Sequence, residues 1–188
     1  GALSASLSSM VANLSFDKKG LETIKPAMEE TAIAAQDLKK KLLHLIDEDM
    51  QAFNSILEAR RLPKSSDQEK EKRDEAIMAA NFRATISPLS VLKCTPQLLK
   101  LASLMVEKGN QNSLSDAGVA ALTALAAAEG AYFNVLINLG GLGESEQELT
   151  FVANCLEEAD VLIADVRHKA EEIRLKVLSA ISKPLTGK

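Results

Sequence analysis

The chain has 188 residues, of which 46% are hydrophobic, 26% charged and 3% aromatic. This composition excludes a disordered tail and favours one helical domain, spanning 1–188, over a β-rich fold. The formal net charge of −4 carries no basic excess, which argues against nucleic acid as a partner. Cys94 and Cys155 form no CxxC motif, so two reduced core cysteines in a cytoplasmic protein are the simplest expectation.

Apolar residues at helical spacing predict an all-α bundle of about six helices. Turn and capping residues at 61–68 precede the third helix. The helical pattern continues from about 86 to Gly109, which ends it. Pro88 and Pro96 interrupt this region, which predicts either one kinked helix or two consecutive helices there. The predicted helices cover about 2–15, 26–60, 67–85, 86–108 (one helix or two), 115–140 and 145–182. Because the chain begins inside a helical pattern and without an initiator Met, we expect the natural protein to extend further upstream.

Asp49 occupies an unusual place in the second predicted helix. On a wheel of about 100° per residue it lies at the centre of an apolar stripe, whereas Asp47 and Glu48 point elsewhere. The stripe consists of Leu38, Leu42, Leu45, Ile46, Phe53 and Ile56. An ionised carboxylate there is costly unless it is paired. Asp49 is therefore either a buried side chain that caps or hydrogen-bonds a neighbouring helix, or a general acid or base in a cleft.

The helix predicted over 115–140 has one large apolar face and one small, polar face. The small face consists of Asp116, Ala120, Thr123, Ala127, Gly130, Asn134 and Asn138. Tight helix packing explains the alanines and Gly130. The amides of Asn134 and Asn138 need partners if they are buried, and they suit a cleft for a flat, pterin-like heterocycle.

Asp116 and Asn134 are 18 residues apart, which corresponds to about 27 Å along a straight helix. They cannot serve the same reacting atom within one chain. Either they have separate roles or a symmetric partner chain brings unlike ends together. Glu129 and the two asparagines also make this segment a poor membrane span, so no membrane partner is expected.

Signatures of other chemistries are absent from the sequence. His44 and His168 lie on different predicted helices without metal-ligand spacing, so no metal site is expected. Neither a GxGxxG motif nor a P-loop occurs, and the GGLG at 140–143 follows a helix instead of a strand.

Several stretches of the chain occur in a fixed order from residue 1 to about 142: MVANLS with KKG, LIDEDMQAFNSILEARRLPK, EKGNQNSLSDAGVAAL and GAYFNVLINL. Together they resemble one family, that of formiminotetrahydrofolate cyclodeaminase and methenyltetrahydrofolate cyclohydrolase. The resemblance implies an intertwined, all-helical homodimer that acts on a tetrahydrofolate derivative, with no cofactor beyond this substrate. It also implies fusion to, or pairing with, a formiminotransferase domain in some organisms.

The resemblance implies roles for five residues. Asp49 matches the family's catalytic aspartate, which would shuttle protons while 5-formiminotetrahydrofolate closes to 5,10-methenyltetrahydrofolate and ammonia leaves. Asp116, Asn134 and Asn138 match other polar motif positions and would line the folate site. Lys64 could reach a glutamate carboxylate of the substrate, although a solvated loop lysine explains this residue better.

Three functions stay open at the level of the sequence. The cyclodeaminase is the first expectation because of GAYFNVLINL, the cyclohydrolase is the alternative, and a folate-binding or scaffold module without activity is the third. The family's glycine-rich segment of the P-G-G-G-S type is expected just before Gly1 and is not in this chain, which leaves substrate binding in question if it is lost. Pro96 falls where uninterrupted helix is expected.

Overall fold

The computed structural model describes residues 1–143 and 145–186, except for the side chains of 183–186. Within this part of the chain the all-α prediction is confirmed, but five α-helices form instead of about six. They are α1 (Ala2–Phe16), α2 (Lys25–Arg60), α3 (Asp67–Lys108), α4 (Leu114–Leu139) and α5 (Glu146–Thr186). The number differs because the region from 67 to 108 forms the single helix α3.

The helix α3 is continuous through both of its internal prolines. A proline leaves the carbonyl four residues earlier without its helical N–H partner. Thr95 Oγ1 donates to the Leu92 carbonyl that Pro96 frees, at 2.6 Å. Asn138 Nδ2 on α4 donates to the Ala84 carbonyl that Pro88 frees, also at 2.6 Å. Side chains thus replace both missing hydrogen bonds, which a helical pattern in the sequence does not reveal.

The helix α3 lies at the centre of the bundle and contacts the other four helices. The first half of α2 borders the second half of α3. Further along α2, the Leu45 carbonyl oxygen lies 3.5 Å from the hydroxyl of Ser87, which is in the first half of α3. The two helices are therefore antiparallel. The α4 helix is also antiparallel to α3, so α2 and α4 run in the same direction. Between them lies α1, which contacts both.

Gly1, the residue before α1, lies between the middle of α2 and the middle of α4. A Cβ added to Gly1 would lie 3.1 Å from the δ-carbons of Leu42 on α2 and 3.6 Å from Cβ of Ala127 on α4. At the other end of α1, the Ser15 hydroxyl accepts a hydrogen bond of 2.7 Å from the Asn110 N–H. One end of the bundle is therefore closed by α1, and the C-terminal halves of α2 and α4 extend past it.

The charged residue in the middle of α4 has a partner on α5. Glu129 accepts hydrogen bonds of 2.6 and 2.7 Å from the Arg167 guanidinium, and this pairing holds the pKa of Glu129 below its ordinary value of 4.5. By length and hydropathy, α3 and α4 could each cross a membrane. Within the described residues, α3 contacts the other four helices and α4 contacts α1, α3 and α5. Core helices of a bundle pass the same test of length and hydropathy.

Candidate active site

Asp49 and Asn134 lie at equivalent heights beyond the end of α1. Leu42 and Ala127 flank Gly1, and each candidate residue follows one of them by seven positions. Seven residues correspond to about 10 Å along a helix and return a side chain to within about 20° of its starting direction. Both side chains therefore point into the space that α1 leaves unfilled. We call this space, bordered by Asp49, Asn134, Asn138 and Ala84, the open groove.

Asp49 is exposed, which disagrees with the alternative of a buried side chain that caps or hydrogen-bonds a neighbouring helix. Leu38, Leu42 and Leu45 of the apolar stripe are buried, but Phe53 is 59% exposed. The buried part of the stripe includes Leu42, which lies beside Gly1. Among the side chains that the structure describes, none forms a hydrogen bond or ion pair with Asp49. Its carboxylate is thus accessible to a ligand in the open groove.

Asn138 has a structural partner in addition to its place in the open groove. Its Nδ2 donates to the Ala84 carbonyl, which Pro88 leaves without a helical N–H partner. The amide nitrogen of Asn138 therefore already has a hydrogen bond within the chain. Its Oδ1 stays available as an acceptor. The side chain is half-buried, so one part of Asn138 supports the floor of the groove while the other faces its interior.

Asn134 and Gly130 form the most open part of the α4 wall. Asn134 is exposed, and no atom lies within 4 Å of the point where a Cβ on Gly130 would be. The small face predicted for this helix therefore divides in two. Ala120 is fully buried in the half that α1 flanks, whereas Gly130 and Asn134 border free space.

The structure does not bring the remaining two predicted site residues to the open groove. Asp116 is half-buried in the first turn of α4, at the closed end of the bundle. Because α4 is one unbroken helix, Asp116 and Asn134 of one chain remain about 27 Å apart. Lys64 is exposed in the turn between α2 and α3. One chain thus unites Asp49, Asn134 and Asn138 and leaves Asp116 and Lys64 apart.

An exposed apolar stripe on α2 was not recognised in the sequence. It consists of Leu43, Ile46, Met50, Phe53 and Leu57, each at least 36% exposed. Their alternating spacing of three and four residues is visible in the sequence, but Ile46 and Phe53 were assigned there to the core stripe around Asp49.

The turn before α4, with the sequence GNQNS, has a structural role in this chain. The Asn110 side chain accepts hydrogen bonds from Lys18 Nζ and, at 3.0 Å, from the Asn112 N–H. Together with the bond from the Asn110 N–H to Ser15, these contacts join the end of α1 to the start of α4. The GNQNS segment therefore stabilises the closed end and lies away from the open groove.

Other candidate chemistry is not assembled at the open groove. A groove of about 670 Å³ between α2 and α3 contains Lys41, Lys93 and Cys94, but not Asp49 or the asparagines. Burial raises the pKa of the Cys94 and Cys155 thiols, which keeps them protonated and poorly nucleophilic. No group of three or more metal-binding side chains occurs within the described residues.

Comparison with known proteins identifies the family. The chain matches the sequence model of formiminotransferase-cyclodeaminase over residues 1–161. It is 34% identical over 182 residues to a methenyltetrahydrofolate cyclohydrolase of Methylorubrum extorquens, an alignment that covers 97% of this chain and 86% of that protein. It is 31% identical over 161 residues to formimidoyltransferase-cyclodeaminase of Mus musculus. That alignment covers 84% of this chain but only 30% of the longer mouse protein.

A solved structure agrees with the sequence comparison. The crystal structure of formiminotetrahydrofolate cyclodeaminase from Thermotoga maritima superposes with a TM-score of 0.76 at 28% sequence identity. The match covers 94% of this chain and 84% of that one. The chain therefore belongs to the formiminotransferase-cyclodeaminase family, as its sequence motifs predict. Named relatives include both cyclodeaminases and a cyclohydrolase.

Proposed function

We propose that this chain is a folate one-carbon enzyme, and in the first place a formiminotetrahydrofolate cyclodeaminase. The observation that carries the proposal is the arrangement of Asp49, Asn134 and Asn138, which α2 and α4 bring to the same end of the bundle. The family match over residues 1–161 and the similarity to the Thermotoga maritima cyclodeaminase support the assignment to folate chemistry. The reaction requires proton transfer but no metal or redox cofactor, and a carboxylate can supply that transfer.

In the proposed reaction, N10 of 5-formiminotetrahydrofolate attacks the formimino carbon and loses its proton to Asp49. The tetrahedral intermediate then breaks its bond to the former imino nitrogen. That nitrogen takes up the proton from Asp49 and a second one from solvent, and it leaves as ammonia. The product is the 5,10-methenyltetrahydrofolate cation. An exposed, unpaired carboxylate is free to accept and return a proton in this way.

The side chains of the groove wall have proposed roles in binding the substrate. Asn134 and the free Oδ1 of Asn138 offer donors and an acceptor for the pterin ring. The end of α2 at Arg60 lies about 16 Å beyond Asp49 along the helix, and Lys64 is in the turn that follows it. This placement suits the glutamate tail of an extended folate better than its ring system. Asp116 either has a separate role or reaches the groove of a symmetric partner chain.

Methenyltetrahydrofolate cyclohydrolase is the second candidate, and a specific observation favours it. The Methylorubrum extorquens cyclohydrolase is 34% identical over 182 residues, whereas the mouse formimidoyltransferase-cyclodeaminase is 31% identical over 161. In that reaction Asp49 would take a proton from a water molecule that attacks the methenyl carbon. It would then protonate N5 as the C–N5 bond breaks, while the hydroxyl proton of the intermediate is released to solvent and 10-formyltetrahydrofolate forms.

One assay with two substrates tests both candidates. Purified protein is supplied with 5-formiminotetrahydrofolate or with 5,10-methenyltetrahydrofolate, while methenyl absorbance and free ammonia are followed. We expect absorbance to rise with an equal amount of ammonia in the first reaction. Accelerated loss of methenyl absorbance without ammonia release from the formimino compound would instead assign the cyclohydrolase. If neither substrate reacts, binding of tetrahydrofolate by calorimetry decides whether the chain is a non-catalytic folate-binding module.

A further inference from the structure

A buried proline of α3 leaves a backbone carbonyl beside the open groove. Because Pro88 has no N–H, the carbonyl of Ala84, four residues earlier, lacks its helical partner. Both residues are buried, so an unpaired carbonyl at this place would be costly. Nδ2 of Asn138 on α4 donates to it at 2.6 Å. The proline thus creates an acceptor that a side chain of the groove wall satisfies.

This hydrogen bond fixes which end of the Asn138 amide faces the groove. A backbone carbonyl can only accept, so it pairs with the amide nitrogen and not with the amide oxygen. Turning the amide by about 180° would bring Oδ1 against the Ala84 oxygen, and two acceptors would then meet without a proton between them. No described group donates to Oδ1 of Asn138. The amide therefore presents a free acceptor to the groove.

The position of Asn138 makes such a restraint useful. The residue lies one position before the end of α4 at Leu139, in a turn whose backbone carbonyls have no following helical turn to pair with. Its side chain is half-buried and is held from the neighbouring helix α3. A side chain that is ordered in advance costs a ligand less free energy on binding than one that the ligand must order.

Pro96 provides a comparison within the same helix. It frees the carbonyl of Leu92, and the hydroxyl of Thr95 donates to that carbonyl at 2.6 Å. Thr95 belongs to α3 itself and is fully buried, so no residue of the open groove takes part. Pro96 borders a separate groove between α2, α3 and α5. It therefore interrupts the hydrogen bonds of α3 as Pro88 does, but without a connection to the candidate site.

We propose that Pro88 is a positioning residue: it frees the Ala84 carbonyl, which holds the Asn138 amide with Oδ1 directed into the open groove, where this oxygen accepts a hydrogen bond from an N–H group of the ligand. In a reduced pterin the donors are the 2-amino group and the ring N–H groups, so one of these faces Asn138 in place of the 4-oxo oxygen. The orientation of the amide is independent of the reaction, whereas its binding role rests on the proposed function.

A double-mutant cycle in thermal stability tests the orientation without reference to activity. With Pro88 present, Asn138→Ala leaves the Ala84 carbonyl unpaired and should lower the melting temperature by about 3–10 °C. In Pro88→Ala the backbone N–H at position 88 returns and pairs with that carbonyl. Adding Asn138→Ala should then lower the melting temperature by less than about 2 °C. Equal losses in the two backgrounds would overturn the proposal.

The kinetic constants of Pro88→Ala test the effect on binding. Once the N–H at position 88 has replaced its bond to Ala84, the Asn138 amide can rotate, and KM for the folate substrate should rise about 2- to 10-fold. We expect kcat to change less than about twofold, because Asp49 is untouched. In an Asn138→Ala chain the same substitution should leave KM unchanged, since Pro88 acts through that amide. A KM that rises in both chains, or in neither, would refute the positioning role.

Two further variants separate this role from a general effect on α3. Pro96→Ala also restores an N–H to the helix and should leave KM unchanged; a rise equal to that of Pro88→Ala would assign the effect to the shape of α3. Pro88→Thr is closer to proline in volume, restores the same N–H and should reproduce the KM of Pro88→Ala. Unfolding of both Pro88 variants would contradict the proposal, because the restored N–H predicts an intact α3.

The two kinds of readout also keep this inference distinct from the proposed function. A wild-type protein that converts neither folate substrate would refute the proposed function. The stability cycle of Pro88→Ala and Asn138→Ala would still decide whether the proline orients the amide.

Discussion

In the two halves of α2, the same helix face has different surroundings. Leu42 and Phe53 point within about 20° of each other on this helix. Leu42 is 5% exposed beneath Gly1, whereas Phe53, three turns later, is 59% exposed. The face is the same, but α1 covers only its first part. A polar residue on such a face can thus be accessible to a ligand even though its apolar neighbours form the core.

The largest expected difference in stability is between alanine variants of these two residues. Leu42→Ala should lower the free energy of unfolding by about 3–5 kcal/mol, because it leaves a cavity at the closed part of α2. Phe53→Ala, at an exposed position, should cost less than about 1 kcal/mol. Urea unfolding provides the measurement. Equal losses from the two substitutions would mean that the α2 stripe is covered within one chain.

A smaller effect compares the two asparagines of the groove. Asn138→Ala should destabilise the chain by about 1–3 kcal/mol, because it leaves the Ala84 carbonyl beside Pro88 without a partner. Asn134→Ala, at an exposed position, should change stability by less than about 0.5 kcal/mol and act on substrate binding alone. Thermal unfolding and the KM for the folate substrate separate the two. A purely kinetic effect of Asn138→Ala would contradict its structural role.

The smallest effect concerns the ion pair that links α4 to α5. Arg167 lowers the pKa of Glu129, so the pair stabilises the fold above the ordinary Glu value of 4.5 and loses this contribution as the pH falls below it. Because both side chains are partly exposed, we expect less than about 1 kcal/mol from it. The stability difference between wild type and Glu129→Gln should shrink between pH 6 and pH 3, as followed by urea unfolding at each pH. A difference that stays constant with pH would exclude the carboxylate charge as its source.

Much of the fold could be predicted from the sequence, because helical periodicity and end signals are local. The bounds of α1, α2 and α4 agree with the predicted ranges to within about a residue. Continuity of α3 was not predictable, since it depends on Asn138 and Thr95 satisfying carbonyls that Pro88 and Pro96 free. The first of these bonds joins positions 54 residues apart, and no local pattern encodes such a contact.

The candidate site was predictable in its residues but not in its environment. The helical wheel singles out Asp49 from its acidic neighbours, because direction on a helix follows from spacing alone. Its surroundings depend on how α1, α2 and α4 pack, which is a tertiary relation. The same limit applies to Ile46 and Phe53, whose pattern fits a core stripe although both are exposed. The role of these residues follows only from the arrangement of neighbouring helices.

The most direct test of the central claim compares Asp49→Asn with Asp47→Asn in the folate assay. Both residues are exposed on α2, but only Asp49 points into the open groove. We expect Asp49→Asn to lower kcat by about 10²–10⁴-fold, with thermal unfolding unchanged, and Asp47→Asn to retain wild-type turnover. Full activity of the Asp49→Asn variant, or an equal loss in both, would contradict the assignment of Asp49 as the group that transfers the proton.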